Sequence, residues 1–188
     1  LPICVGNATK LCDLLTDKDK VYETVMLLGI TTDTQDITGK VIKESSLFAG
    51  EEEVRTAIHK FIGTYDQMPP MYSAIKVNGK RLYELARQGI EVERKARPVT
   101  IHEIEILSMK NDEENEHAVK EVHMRVHCSK GTYIRTLCED IGNTLNCGAC
   151  MKALLRTRVS IFDLSSSKRL NEIEEYVKQG KTEELLIS

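Results

Sequence analysis

No apolar run in the 188 residues approaches the roughly 18 needed to cross a bilayer as a helix, which excludes a helical membrane protein. Nothing at the start reads as a secretory leader, and there is no initiator methionine. The chain opens on the apolar, strand-like run Leu1-Pro2-Ile3-Cys4-Val5, so we expect a fragment or an incompletely represented chain. Internal repeats and low-complexity stretches are absent as well. Metal-binding spacing is scarce. Six cysteines stand at 4, 12, 128, 138, 147 and 150, but Cys147-Gly148-Ala149-Cys150 is a lone CxxC with no second pair behind it. His123 and His127 share a strand face too far upstream to complete a finger. Asp33 and Asp36 lack the repeating carboxylates and terminal Glu of a calcium loop, and read as turn-capping residues. The expectation is a soluble, cytoplasmic monomer with free thiols, no metal and no membrane contact.

What is present suits a single globular domain, with 41% hydrophobic and 29% charged residues. A net charge of −3 argues against attraction of nucleic acid by the whole surface. Charge is uneven, however. Residues 76–97 hold seven Lys/Arg against three Glu, and residues 129–158 hold five against two acids. Such local basic patches fit either a phosphate-docking surface or solvated helix faces.

The period-two pattern of Lys20–Leu28 places apolar groups on both faces, predicting a central strand covered on two sides. Further strands are predicted over Lys40–Glu44, Ser73–Val77, Val99–Leu107, Ala118–Cys128 and Met151–Phe162. Helical stripes fall on Ala8–Leu15, with Leu11, Leu14 and Leu15 packed, and on Glu51–Ile62, Arg81–Gln88, Thr132–Leu145 and Leu170–Gln179. Few βαβ units occur. The fold class is therefore α+β, a mostly antiparallel mixed sheet flanked by helices.

The most informative stretch is Cys128-Ser129-Lys130-Gly131-Thr132-Tyr133-Ile134-Arg135-Thr136, where a strand ends and a helix begins. A glycine, a helix N-terminus and two nearby cations make a generic anion corner, for a phosphate or a carboxylate. Its neighbours say more. Leu1–Lys10, Asp19-Lys20-Val21-Tyr22, the long stretch from Met71 to Gly89, Cys128–Arg135 and Leu154-Leu155-Arg156-Thr157-Arg158 together resemble, in collinear order, the TruB-type tRNA pseudouridine synthases. The resemblance runs from residue 1 to about 163 and covers the region downstream of that family's catalytic aspartate.

The resemblance implies the pseudouridine synthase fold, truncated at its N-terminus, with 69–97 as an RNA-clasping insertion and 164–188 as a terminal helix and tail. It implies isomerisation of the T-loop uridine at tRNA position 55 to pseudouridine, without a cofactor, with the T-arm of tRNA as partner. On it Tyr22 is the ring that stacks on the base, although its pattern alone fits an ordinary cross-strand tyrosine. Arg135 pairs with the catalytic aspartate and keeps it ionised; its spacing alone fits a phosphate contact equally. Tyr133 closes the pocket and Leu154 lines it. Phosphate contacts fall to Lys10 (or else a structural lysine), Tyr72, Lys76, Lys80, Arg81, Arg87, Arg97, Lys130, Arg156 and Arg158.

Two departures stand out. Leu155 occupies a place where relatives commonly carry another arginine, and the Gly-Thr-Leu-Asp-Pro-type motif of the catalytic aspartate occurs nowhere in the chain. The small C-terminal RNA-binding domain of many members is also expected to be absent. A chain lacking its aspartate segment is expected to be inactive alone. The rival reading is a non-catalytic RNA-binding or tRNA-folding module on the same scaffold.

Overall fold

The alternating run Lys20–Leu28 (β1) becomes an inner strand of an antiparallel sheet in the computed structural model, which describes residues 2–46 and 49–186. Leu1 of the opening run and the last two residues of the expected tail lie outside the described residues. A 3₁₀ turn, Gly6–Leu11, and the helix Cys12–Thr16 (α1) precede β1. After it come Ile30–Thr32 (β2), Val41–Glu44 (β3), Glu51–His59 (α2), Gly63–Gln67 (β4), Lys76–Val77 (β5), Lys80–Arg81 (β6) and Leu82–Arg87 (α3). Arg97–Asn111 (β7), Val119–Cys128 (β8), Ile134–Thr144 (α4), Ala149–Val159 (β9), Phe162–Asp163 (β10), Leu170–Lys178 (α5) and a second 3₁₀ turn, Thr182–Leu185, complete the order. The main sheet runs β10-β9-β1-β8-β7-β4 with every neighbouring pair antiparallel, so the chain is α+β. Two short ladders, β2–β3 and β5–β6, stand apart from it. Among the described residues no helix is long and apolar enough to cross a membrane.

One sheet face carries the core. Met26 and Leu28 of β1, Val122, Met124 and Val126 of β8 and Ile104 of β7 meet Val54, Ala57 and Ile58 of α2 and Leu137, Cys138 and Ile141 of α4. That is the usual half-solvated antiparallel arrangement. The expectation that β1 is covered on both sides does not hold. On its second face Arg125 of β8 donates to Glu23 at 2.8 Å and to Glu105 of β7 at 2.6 Å, and Lys152 of β9 pairs with Glu121. The apolar groups Val21 and Leu27 are buried there beside long charged side chains, whose stems shield them in place of a helix.

Other expectations shift for local reasons. Of the three leucines expected to pack in the first helical segment, Leu15 is half-buried but Leu11 is 50% and Leu14 62% exposed, because the segment splits into a 3₁₀ turn and five α-helical residues that share no continuous apolar face. The helix expected from Thr132 begins at Ile134, since Tyr133 is extended. The strand expected over Ser73–Val77 shortens to Lys76–Val77, which enters the predicted Asn78-Gly79 turn; both turn residues have positive φ, as such a two-residue hairpin requires. The strand β4 escaped notice in the sequence because Gly-Thr-Tyr-Asp-Gln has a single large apolar side chain.

The end of α4 is fixed by a close approach. Gly142 accepts from the amides of Cys147 and Gly148, and a Cβ added to it would overlap the main chain of Gly148 and Ala149. Gly142→Ala should therefore destabilise the fold by about 1–3 kcal/mol, overpacking outweighing the roughly 1 kcal/mol of helix propensity that alanine brings. Urea unfolding measures it; a variant more stable than the parent would refute the close packing.

Candidate active site

The start of α4 is assembled by groups distant in sequence. Gly131 turns the chain with φ at 81°, and Tyr133 caps the helix with no side-chain cap of its own. The missing partners come from Gln67 at the end of β4. Its carbonyl oxygen accepts from the Tyr133 amide at 2.8 Å, and its side-chain nitrogen donates to the Tyr133 carbonyl at 3.1 Å. A side-chain amide thus pairs with the Tyr133 main chain as a neighbouring strand would. Gln67 is 1% exposed, and its nitrogen also donates to the Tyr65 hydroxyl.

Arg135, one residue into the helix, fastens two loops. Its Nη1 donates to the Thr34 carbonyl at 3.1 Å and its Nη2 to the Tyr72 carbonyl at 2.7 Å. A guanidinium has five N–H donors in a fixed fork, so these two bonds leave capacity for a carboxylate. Next to it Thr136 donates to Gln35 at 2.8 Å, and Gln35 donates to Glu139 one turn further along α4. The loop holding Thr34 and Gln35 is shaped as expected for turn-capping acids. Asp33 accepts from the Lys40 amide, and Asp36 from the amide and hydroxyl of Thr38.

The sheet brings some of the sequence-predicted residues together and separates others. Antiparallel register sets Tyr22 opposite Arg156 and Thr24 opposite Leu154. All four therefore share the face on which α4 lies, where Tyr22 packs against the core and Leu154 is 44% exposed. Burial pushes the Tyr22 phenol up, with the Arg156 guanidinium pulling the other way. Arg158 does not join them. A bulge at Thr157 shifts the register, so Arg158 lies opposite Val21 and lines an open groove of ≈ 390 Å³ on the charged face, with Arg125, His127 and Asp163. Spacing by two predicts a shared face for Arg156 and Arg158; the extra residue in the ladder breaks it.

The 69–97 insertion presents most of the remaining cations. Lys76, Lys80, Arg81, Arg87 and Arg97 are all exposed, and Arg81 and Arg87 both lie over the Tyr83 ring, 5.8 and 5.4 Å from its centre. Leu82 and Leu85 anchor α3 beneath them. Arg94 donates to the Pro69 carbonyl at 2.9 Å, closing the insertion's base near the Tyr72 carbonyl that Arg135 holds. Lys10 is exposed in the N-terminal 3₁₀ turn, remote in sequence from this cluster. Lys130 is engaged with Asp17 at 2.8 Å, which holds that carboxyl below its ordinary value; both groups are exposed, so the pair adds little stability.

On α4 lies a half-buried acidic corner that the sequence did not reveal. Burial, and then the neighbouring Glu139, push the Asp140 carboxyl up to about 6, while a bond from the Tyr65 hydroxyl acts in the opposite direction. Burial pushes Glu139 and the Tyr65 phenol up as well. Cys147 and Cys150 are buried, and burial raises both thiols, Cys150 to about 11. They are packing groups rather than reactive ones.

Residues 1–134 match the model of the TruB family pseudouridylate synthase N-terminal domain, and residues 135–187 that of the tRNA pseudouridylate synthase B C-terminal domain. The chain is 62% identical over 187 residues to a protein named tRNA pseudouridine synthase B from Lachnoclostridium phytofermentans, covering 100% of this chain and 61% of that one. A protein of the same name from Alkaliphilus oremlandii is 48% identical over 174 residues, covering 93% of this chain and 56% of its own length. The chain thus spans about three fifths of these relatives. Among solved structures, a Cbf5–Nop10–Gar1 complex is similar with a TM-score of 0.66 and 25% identity, over 95% of this chain and 42% of that one. An H/ACA ribonucleoprotein bound to substrate RNA, at 21% identity and a TM-score of 0.62, shares the fold.

The acidic corner makes stability depend on pH in a stated direction. An unfolded aspartate titrates near 3.8 and folded Asp140 near 6, so between these values the folded protein keeps a proton that the unfolded chain has lost. Raising the pH through that window therefore removes stability. Asp140→Asn should flatten the decline when Tm is followed from about pH 4.5 to 6.5. A decline of equal slope in the variant would clear Asp140 of the effect.

Proposed function

The chain belongs to the TruB family of pseudouridylate synthases, an isomerase family, and on that premise we propose that it is the central part of an enzyme converting the T-loop uridine at tRNA position 55 to pseudouridine. The observation that carries this reading is Arg135. Its guanidinium is pinned by the carbonyls of Thr34 and Tyr72, keeps donors to spare, and starts a helix lying on the same side of the sheet as Tyr22, Leu154 and Arg156.

The reaction needs no cofactor. The N1–C1′ bond of the uridine breaks, the uracil turns, a C5–C1′ bond forms, the C5 proton leaves and N1 gains one. The target base must leave its stack, so something has to receive it. Tyr22 offers a ring, at about 1–3 kcal/mol per stacked base. Leu154 contributes an apolar wall that excludes water and strengthens the polar contacts around it. Tyr133, locked through its main chain by Gln67, closes the pocket beside Arg135. The acid that works on the ribose comes from the upstream segment of the longer protein, and Arg135 keeps it ionised through charge-assisted hydrogen bonds.

The insertion supplies the clasp on the folded T-arm. Lys76, Lys80, Arg81, Arg87 and Arg97 meet phosphates, with Tyr72 at its base, while Lys10 and Arg156 do so nearer the pocket. Lys130, paired with Asp17, and Arg158, on the opposite sheet face, take smaller shares.

The full-length protein containing this chain should release tritium from tRNA labelled at C5 of uridine. Arg135→Ala should lower the rate about 10³-fold, with tRNA affinity changed by less than about tenfold. Salt-sensitive tRNA binding without any tritium release, in the parent protein, would favour the tRNA-folding module instead. Near-normal release by the variant would remove Arg135 from the chemistry.

A further inference from the structure

On the charged face of the sheet, away from Tyr22 and Leu154, three side chains from separate elements converge. The His102 Nε2 lies 3.2 Å from an Asp19 carboxylate oxygen, and the His102 and His127 rings stand 4.7 Å apart, centre to centre, at 48°. One ligand atom from each of Asp19, His102 and His127 falls within 4.8 Å of the other two. We propose that this cluster is a binding site for a late first-row divalent cation, with zinc the natural occupant to test.

The backbone builds the cluster. In the β7–β8 ladder Ile101 lies opposite Cys128 and Glu103 opposite His127, which leaves His102 as the extra residue of a bulge. The bulge sets two consecutive residues, His102 and Glu103, against His127, and the two imidazole rings come side by side. Asp19 enters from the corner before β1, where Lys20 pairs with Cys128, and its carbonyl is held by the Ser160 amide at 3.2 Å. Each ligand atom therefore sits on a paired or anchored stretch of main chain.

The chemistry of the set is that of a cation site. Two imidazoles and one carboxylate are ligands that zinc and its first-row neighbours favour, at bonds of about 2.0–2.2 Å. Ligand atoms around such an ion lie about 3–3.6 Å apart, so the 3.2 Å separation already fits and the remaining ring needs only a small rotation. Two imidazole nitrogens and one carboxylate oxygen offer lone pairs to the ion. Water fills the open positions. Nearby Arg125 does not compete, being bonded to Glu23 and Glu105. His102 and Asp19 are 37% and 49% exposed, so an ion has free access. Bound, it would clip the α1–β1 corner to the first half of β7 and the end of β8. The proposal is independent of the catalytic reading above.

The chain, stripped with a chelator, is titrated with cobalt(II) and followed by visible absorption, and with zinc followed by Tm. We expect one cobalt equivalent with nitrogen–oxygen d–d bands, displaced by zinc, and a zinc-dependent rise in Tm. His102→Ala and Asp19→Asn, both at exposed positions, should each weaken binding at least about tenfold, with unchanged far-ultraviolet circular dichroism in the absence of metal. Binding unaffected by either substitution overturns the proposal. So does failure of the parent chain to bind, and so does a sulfur-to-cobalt charge-transfer band, which would assign the ion to cysteines.

Discussion

The main chain of Tyr133 is paired on both its polar groups by one buried side-chain amide, and the geometry around α4 follows from that pairing. Tyr133 is where an extended segment must become a helix, and its amide and carbonyl have no strand partner there. Left unpaired and away from water, the amide would cost about 1–3 kcal/mol. Gln67 satisfies the amide and adds a second bond to the carbonyl, which also accepts from the Leu137 amide at 3.0 Å, and so ties the end of β4 to the first turn of α4. With that turn held, Arg135 reaches the carbonyls of Thr34 and Tyr72, and two loops far apart in sequence become fixed relative to the same helix. The insertion that carries seven of the Lys/Arg residues is thereby hinged on the residue assigned to the chemistry.

The sheet divides its labour by face. One face is apolar and holds α2 and α4; the other is a lattice of charges centred on Arg125. Bulges decide which side chains belong to which. The one at Thr157 sends Arg158 away from Arg156, and the one at His102 gathers that ring to His127. The first delivers a side chain to a face that regular alternation forbids, and the second sets two consecutive residues, His102 and Glu103, against one.

Much of this was legible in the sequence. The alternation of β1 and β8, the stripe of α2, the Asn78-Gly79 turn and the capping roles of Asp33 and Asp36 are local properties, and local patterns reported them. The neighbourhood of Tyr22, Leu154 and Arg156 was anticipated through family resemblance rather than spacing. What escaped were features set by pairing across the chain. The role of Gln67 depends on Tyr133, 66 residues away, and only the Met-Pro-Pro break after it marks the spot. The separation of Arg158 from Arg156 depends on a single-residue slip in register, and the meeting of His102 with His127 on which strands pair; no periodicity contains either. The charged second face of β1 was missed because its apolar residues are covered by stems of charged neighbours, which hydropathy counts as polar.

Amide hydrogen exchange at Tyr133 tests the central claim most directly. In the parent protein this amide should be strongly protected although no strand pairs with it. In Gln67→Leu, which keeps the volume and removes the amide, its protection should fall by about tenfold to a hundredfold, while the later turns of α4 change much less. Unchanged protection at Tyr133 in the variant would contradict the claim that Gln67 holds the start of α4, and with it the account of how Arg135 is placed.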